Sequence, residues 1–205
     1  MNLKKLKLLE REFLIKYPDG WQTEELKEMG KKFKLQKHID YVHKVCSKEN
    51  MKQGLGAYKD VMKVVSISAM VSVFEKVKFR DFVKEIDDTD KHEIMGSIFE
   101  MLHGDEEEGF NRLVSLLSFY KLAKWPIISV WLAYYDVNYQ VFVKPTTVKK
   151  IINHLELEDI KYNSKPNYEF YTKYRKYLNE LKTHVDKKVQ VSNPAFSGFF
   201  MMTIN

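Results

Sequence analysis

The stretch "AKWPIISVWLAYY", residues 123–135, decides the fold. Between Lys124 and Asp136 it holds no charged residue, and Pro126 falls where a first helical turn accepts proline. A helix that is apolar almost all round must be covered on every side, so this one is the buried centre of the protein. Its cover has to come from the rest of the chain, where apolar residues recur at steps of three and four and alternation at period two is almost absent. The expected class is all-α: a compact orthogonal bundle of about eight helices forming one domain over residues 1–205.

Composition agrees. The 205 residues are 44% hydrophobic, 30% charged and 14% aromatic, with only 8 Gly and 5 Pro, which excludes collagen-like and disordered classes. A chain of this length buries about 70% of the surface its unfolded form exposes, so no staple is required. The single Cys46 has no partner for an internal disulfide, and the expected location is cytoplasmic. Apolar stretches are broken by charge well before the ~20 residues of a membrane span, so no membrane partner is expected. "MNLKKLKLLEREFLIKY" reads as an amphipathic helix and not as a signal peptide.

The net charge of +6 is unevenly placed. Residues 1–52 carry 13 Lys+Arg against 8 Asp+Glu, residues 53–143 carry 10 against 14, and residues 144–190 carry 11 against 6. Two basic subregions, 1–52 and 144–205, thus flank an acidic, apolar middle. Clustered Lys and Arg favour a polyanion partner through counterion release.

Helix boundaries follow from turn and cap chemistry. A first helix spans about 3–16, with Leu6 and Phe13 inward, Glu10 on its wet edge, and "YPDG" (17–20) as its stop. Thr23 is a cap candidate for the next helix, and another covers about 34–46. Residues 61–86 are the most apolar region, with β-branched residues frequent enough from Val64 to Val73 that a short strand is an alternative there. Asp90 with Glu93 and Asp105 with Glu108 both fit capping patterns, and Gly104 can supply a left-handed residue between those helices. "FVKPTTVKKIINHLEL" (142–157) starts a helix at Pro145 with Thr146 or Thr147 as cap, and Asn167 caps the tyrosine-rich helix that follows.

Metal and cofactor sites are not expected. His38 and His43 stand five apart, off the i, i+4 spacing that puts two ligands on one helical face, and no glycine-rich phosphate loop occurs. Cys46 and Ser129 lack the surroundings of a nucleophile and read as packing. The acids Asp105 to Glu108 suit a helix start, and His103 beside them reads as a hydrogen bond at a helix end. The apolar tail "NPAFSGFFMMTIN" (193–205) either returns to the core or docks on a partner.

Five motifs, "SAMVSVFEKVKFRDF" (68–82), "HGDEEEGFNRLVSLLSFYKLAKW" (103–125), "VFVKPTTVKKIINHLELEDIKY" (141–162), "PNYEFYTKYRKYLNELK" (166–182) and "AFSGFFMM" (195–202), resemble a family of bacterial proteins of about this length. The resemblance implies no activity. More divergent relatives have Asp and His shortly before the Lys-Pro pair, whereas Asn138 and Gln140 stand there here. A second similarity, in the rhythm of 122–157, is to helix-hairpin-helix DNA glycosylases. Lys144-Pro145-Thr146 takes the place of their catalytic Asp, and the Gly-x-Gly hairpin that holds a DNA phosphate is missing.

The favoured functional expectation is a binding protein for nucleic acid or another polyanion. Its candidate residues are Lys144, Lys149, Lys150, Lys173, Arg175 and Lys176 for phosphates, with Tyr168 and Tyr171 for stacking. An alternative is an enzyme cleft in which Thr146 and Thr147 join Lys144, Tyr168 and Arg175 around an anionic small molecule or a damaged base. Another is an interaction protein whose apolar tail completes a homo-oligomer.

Overall fold

A computed structural model describes residues 1–204, and among them every regular element is helical. The N-terminal half runs α1 (Leu3–Lys16), a 3-10 turn (Gly20–Gln22), α2 (Glu24–Phe33), α3 (Leu35–Val45), α4 (Lys48–Met51), α5 (Leu55–Ile67) and α6 (Val73–Glu85). The remainder runs α7 (Asp88–His103), α8 (Glu106–Phe119), α9 (Trp125–Tyr135), α10 (Pro145–His154), α11 (Tyr168–Thr183) and α12 (Asn193–Thr203). Twelve α-helices among the described residues exceed the expected eight. The excess comes from the short α4, from division of the apolar 61–86 region into α5 and α6, and from α12 in the tail. No strand forms at 64–73: Val64 and Val65 are packed on a helical face, Ser68 ends α5, and core packing outweighs β-propensity.

α9 is the centre. From Ile127 to Ala133 no residue is more than 1% exposed, and α3, α5, α7 and α8 all pack on it. The buried polar side chains Trp125, Ser129 and Trp131 each tie another segment to this helix, because an unpaired buried donor costs more than a hydrogen bond returns. Trp125 Nε1 donates to Asn163 O at 2.7 Å, Trp131 Nε1 to Val61 O at 3.1 Å, and Ser129 Oγ accepts from Val143 N at 3.0 Å. α7 and α8 form a closely packed antiparallel pair, and α12 joins α1, α10 and α11 at the other end of the core.

The tail belongs to that core. Phe196, Phe199 and Phe200 are buried, and Phe199 meets Phe13 of α1 edge-on at 5.3 Å. This removes its phenylalanines from any partner, leaving Met201 as its exposed apolar side chain.

Several helix starts follow the sequence and others do not. Asp105 accepts from Glu108 N and Asn167 from Phe170 N, as their spacing predicts. At α7 the cap is Asp87 and not Asp90. Lys144 takes the cap position of α10 without a side-chain bond, so neither Thr146 nor Thr147 caps it. Thr23 stands at the start of α2, but its Oγ1 is buried with no hydrogen-bond partner. Gly104 has φ −127°, outside the left-handed region. Glu10, expected at a wet edge, is buried, with Oε1 accepting from Asp186 N at 2.5 Å across the fold.

Candidate functional site

The candidate residues separate into a buried network and an open groove. The network begins at the first residue of α8, where Glu106 points at α11. Its Oε1 accepts from Arg175 Nη1 at 2.6 Å and from the Tyr168 hydroxyl at 2.9 Å, while Oε2 accepts from Gln140 Nε2 at 2.6 Å. Gln140 Oε1 in turn accepts from Arg175 Nη1 at 2.7 Å and from the Tyr171 hydroxyl at 2.9 Å. The guanidinium lies between two rings, 4.5 Å from the centroid of Tyr139 and 5.3 Å from that of Tyr171.

Tyr171 and Arg175, both candidate binding residues, are buried. Tyr171 is 0% and Arg175 7% exposed. The stripe that carries Tyr171, Tyr174 and Leu178 faces the core, and Arg175 can follow it inward because Glu106 supplies a compensating charge. Burial opposes the charge on Arg175, yet Glu106 beside it holds the guanidinium above its ordinary value. Burial first, and the hydrogen bond to Glu106 second, push the Tyr168 phenol up to about 12. Thr147 is also buried, at 7% exposure, so it cannot contact a ligand as it stands. The network joins α8, the 136–144 segment and α11.

The groove lies between α10 and the segment leading to α11. It encloses about 840 Å³ and is lined by Lys149, Asn153, Lys161 and Tyr162 among others. Lys149 Nζ stands 4.8 Å from the centre of the Tyr162 ring. A smaller recess of about 200 Å³ shares Ile160 and Lys161 with it and reaches Lys173 on α11. Lys161 lines both recesses, with Lys149 and Tyr162 in the larger and Lys173 in the smaller. Two of their four carboxylates are engaged: Glu156 holds Lys5 at 2.7 Å, and Asp159 accepts from Tyr177 and lies 3.2 Å from Lys173. Glu158 and Glu169 have no cation partner among the described residues, and neither Lys149 nor Lys161 has a carboxylate partner there.

The other candidates lie outside it. Lys150 Nζ donates to Ile204 O at 3.1 Å and so fastens the tail. Thr146 and Lys176 are exposed and Lys144 is half-buried; none of them lines either recess. The five residues of the enzyme-cleft expectation are likewise absent from a third recess, between α6 and the α8–α9 turn. Lys161 and Tyr162 were missed from sequence because they sit in an irregular segment with no periodicity to orient them, and Gln140 because a neutral amide carries no spacing signal.

No protein-family model, curated protein or solved structure matches the chain. Function therefore rests on the chemistry of the site itself.

His103 and His38, two of the six histidines, are tied into the fold. His103 Nε2 bonds Cys46 O at 2.7 Å, and burial pushes the Cys46 thiol up to about 12, far from a reactive thiolate. His38 is buried against Tyr134, with Nδ1 3.4 Å from its hydroxyl. Burial and the ammonium groups of Lys76, Lys34 and Lys37 hold His38 below its ordinary 6.5. In that range the unfolded chain binds a proton that the folded chain refuses, so stability is complete above the unfolded value and is lost as pH falls through it. Urea unfolding at about pH 7.5 and about pH 5.5 should show a lower midpoint in acid, and His38→Gln should shrink that difference. An unchanged difference in the variant would remove His38 as its source.

Proposed function

We propose that the protein binds a polyanion, with single-stranded nucleic acid as the best fit, along the groove between α10 and α11. The observation that carries this reading is Lys149 poised over the Tyr162 ring in an open recess, with Lys161 lining both that recess and the smaller one that holds Lys173. Ammonium groups a few residues apart follow a phosphate backbone, and a half-exposed phenol offers a stacking face of no fixed base preference. Lys149 and Lys173 from the sequence reading contribute to it, with Lys176 and Lys144 adding long-range attraction from flanking positions. Arg175, Tyr168 and Tyr171 support the scaffold and touch no phosphate.

Fluorescence anisotropy with a labelled single-stranded oligonucleotide across a salt series tests this. Binding should weaken steeply with salt, and Lys149→Glu/Lys161→Glu should lower affinity at least tenfold at low salt. Each lost phosphate contact flattens the slope of log affinity against log salt by about 0.7. Salt-independent binding, or a double variant that binds like the parent, would overturn the proposal.

A further inference from the structure

A second surface lies at the start of α6. Val73 is 71%, Phe74 83% and Val77 41% exposed, although the opposite face of the same helix buries Phe79 and Phe82. The capping box of Ser72 and Glu75 holds this first turn in place. A helix start that needed only to be solvated would carry polar residues at these three positions; here apolar side chains stand out into water.

Cations surround them. Lys76 and Lys78 flank Val77, and the α3 start with Lys34 and Lys37 lies nearby, since the Tyr134 hydroxyl meets both Ser68, just before α6, at 3.0 Å and His38 at 3.4 Å. Phe33, next to Lys34, is itself 54% exposed. The neighbouring acids are engaged: Glu75 in the capping box and Asp81 with Arg80 at 3.0 Å. None of Phe33, Val73, Phe74 or Val77 lines the three recesses described above, so these side chains protrude and do not enclose. A rigid partner helix needs a groove to lie in, whereas a bilayer interface admits protruding aromatic and aliphatic groups while its headgroup phosphates meet the lysines.

We propose that the α6 start, with Phe33, is a peripheral docking face for an anionic phospholipid surface. No helix among the described residues is long and apolar enough to cross a membrane, so the protein lies on the bilayer by this face. The expectation of no membrane partner rested on spanning segments and does not reach such a surface.

Co-sedimentation of the full chain with phosphatidylcholine vesicles, with and without one-third phosphatidylserine, tests the proposal. Expected is binding to the anionic vesicles alone, weakened by salt. Lys37→Glu/Lys78→Glu should reduce partitioning by about fivefold or more for each lysine that meets the surface. Val73→Ser/Phe74→Ser should abolish most of it while circular dichroism stays unchanged, since these side chains are already in water. Lys149→Glu/Lys161→Glu should leave vesicle binding intact, which separates this face from the polyanion groove. Equal binding to neutral vesicles, no binding, or an unaffected Val73→Ser/Phe74→Ser variant would overturn it. So would loss of vesicle binding only through a change of oligomeric state, which would assign the face to a second copy of the chain.

Discussion

Gly109→Ala is expected to destabilise the protein by about 3 kcal/mol or more, at the upper end of what overpacking costs, because rigid backbone occupies the space the new methyl needs. A Cβ at Gly109 would stand 2.2 Å from Met101 N and 2.5 Å from Ser97 O, both backbone atoms of α7. No side-chain rotation relieves that contact; α7 and α8 would have to separate. They form the most extensively packed helix pair of the fold, and residues of both, among them Ile98, Met101, Phe110 and Leu113, are in the core beside α9. Gly30→Ala is the internal control. It lies within α2, and a Cβ there meets nothing within 4 Å, so alanine should stabilise by about 0.5–1 kcal/mol through helix propensity alone. Urea unfolding of both variants reads the difference directly. A Gly109→Ala loss below about 1 kcal/mol would mean that the two helices can part without disturbing the core.

Glu106→Ala is the second large effect, expected at about 3 kcal/mol, because removing one partner leaves the other charge buried without compensation. Arg175 would keep only the Gln140 carbonyl as an acceptor, and the Tyr168 hydroxyl would lose its acceptor. Part of the side chain of Glu106 is solvated, at 23% exposure, which places the cost at the lower end of the range for breaking buried pairs. Glu106→Ala/Arg175→Met should recover much of the loss, since an apolar side chain of similar length asks for no counter-charge. If the single variant unfolds like the parent, Arg175 has found solvent by another route and the network does not hold α8 to α11. The same variants bear on function. Oligonucleotide binding that survives Arg175→Met in folded protein supports the separation of scaffold from groove.

Much of the architecture was legible before any coordinates. The charge-free run through α9 required a buried helix, and the structure puts that helix at the centre of the fold. Asp105 and Asn167 cap as their spacing demands because an N-cap bond closes within one turn and needs nothing from elsewhere. Local chemistry of this kind survives into the fold. Thr23 shows the limit: it stands at the right place, but the packing around it denies its hydroxyl the bond.

The candidate site was only half legible, and the reason is periodicity. Tyr171 and Arg175 lie four apart, so helical geometry puts them on one face, but only the approach of Glu106 and Gln140 from other segments makes an inward arginine tolerable. Lys161 and Tyr162 belong to a segment with no repeating geometry, so their meeting with Lys149 depends on how α10 and α11 are set by the core. The helical class, the central helix and the locally closed caps were determined by the sequence alone, through interactions that span a single turn. The burial of Glu10 and Arg175, the inward return of the tail and the course of the groove were decided by the tertiary structure, because each depends on a partner outside its own helix that only packing brings within reach.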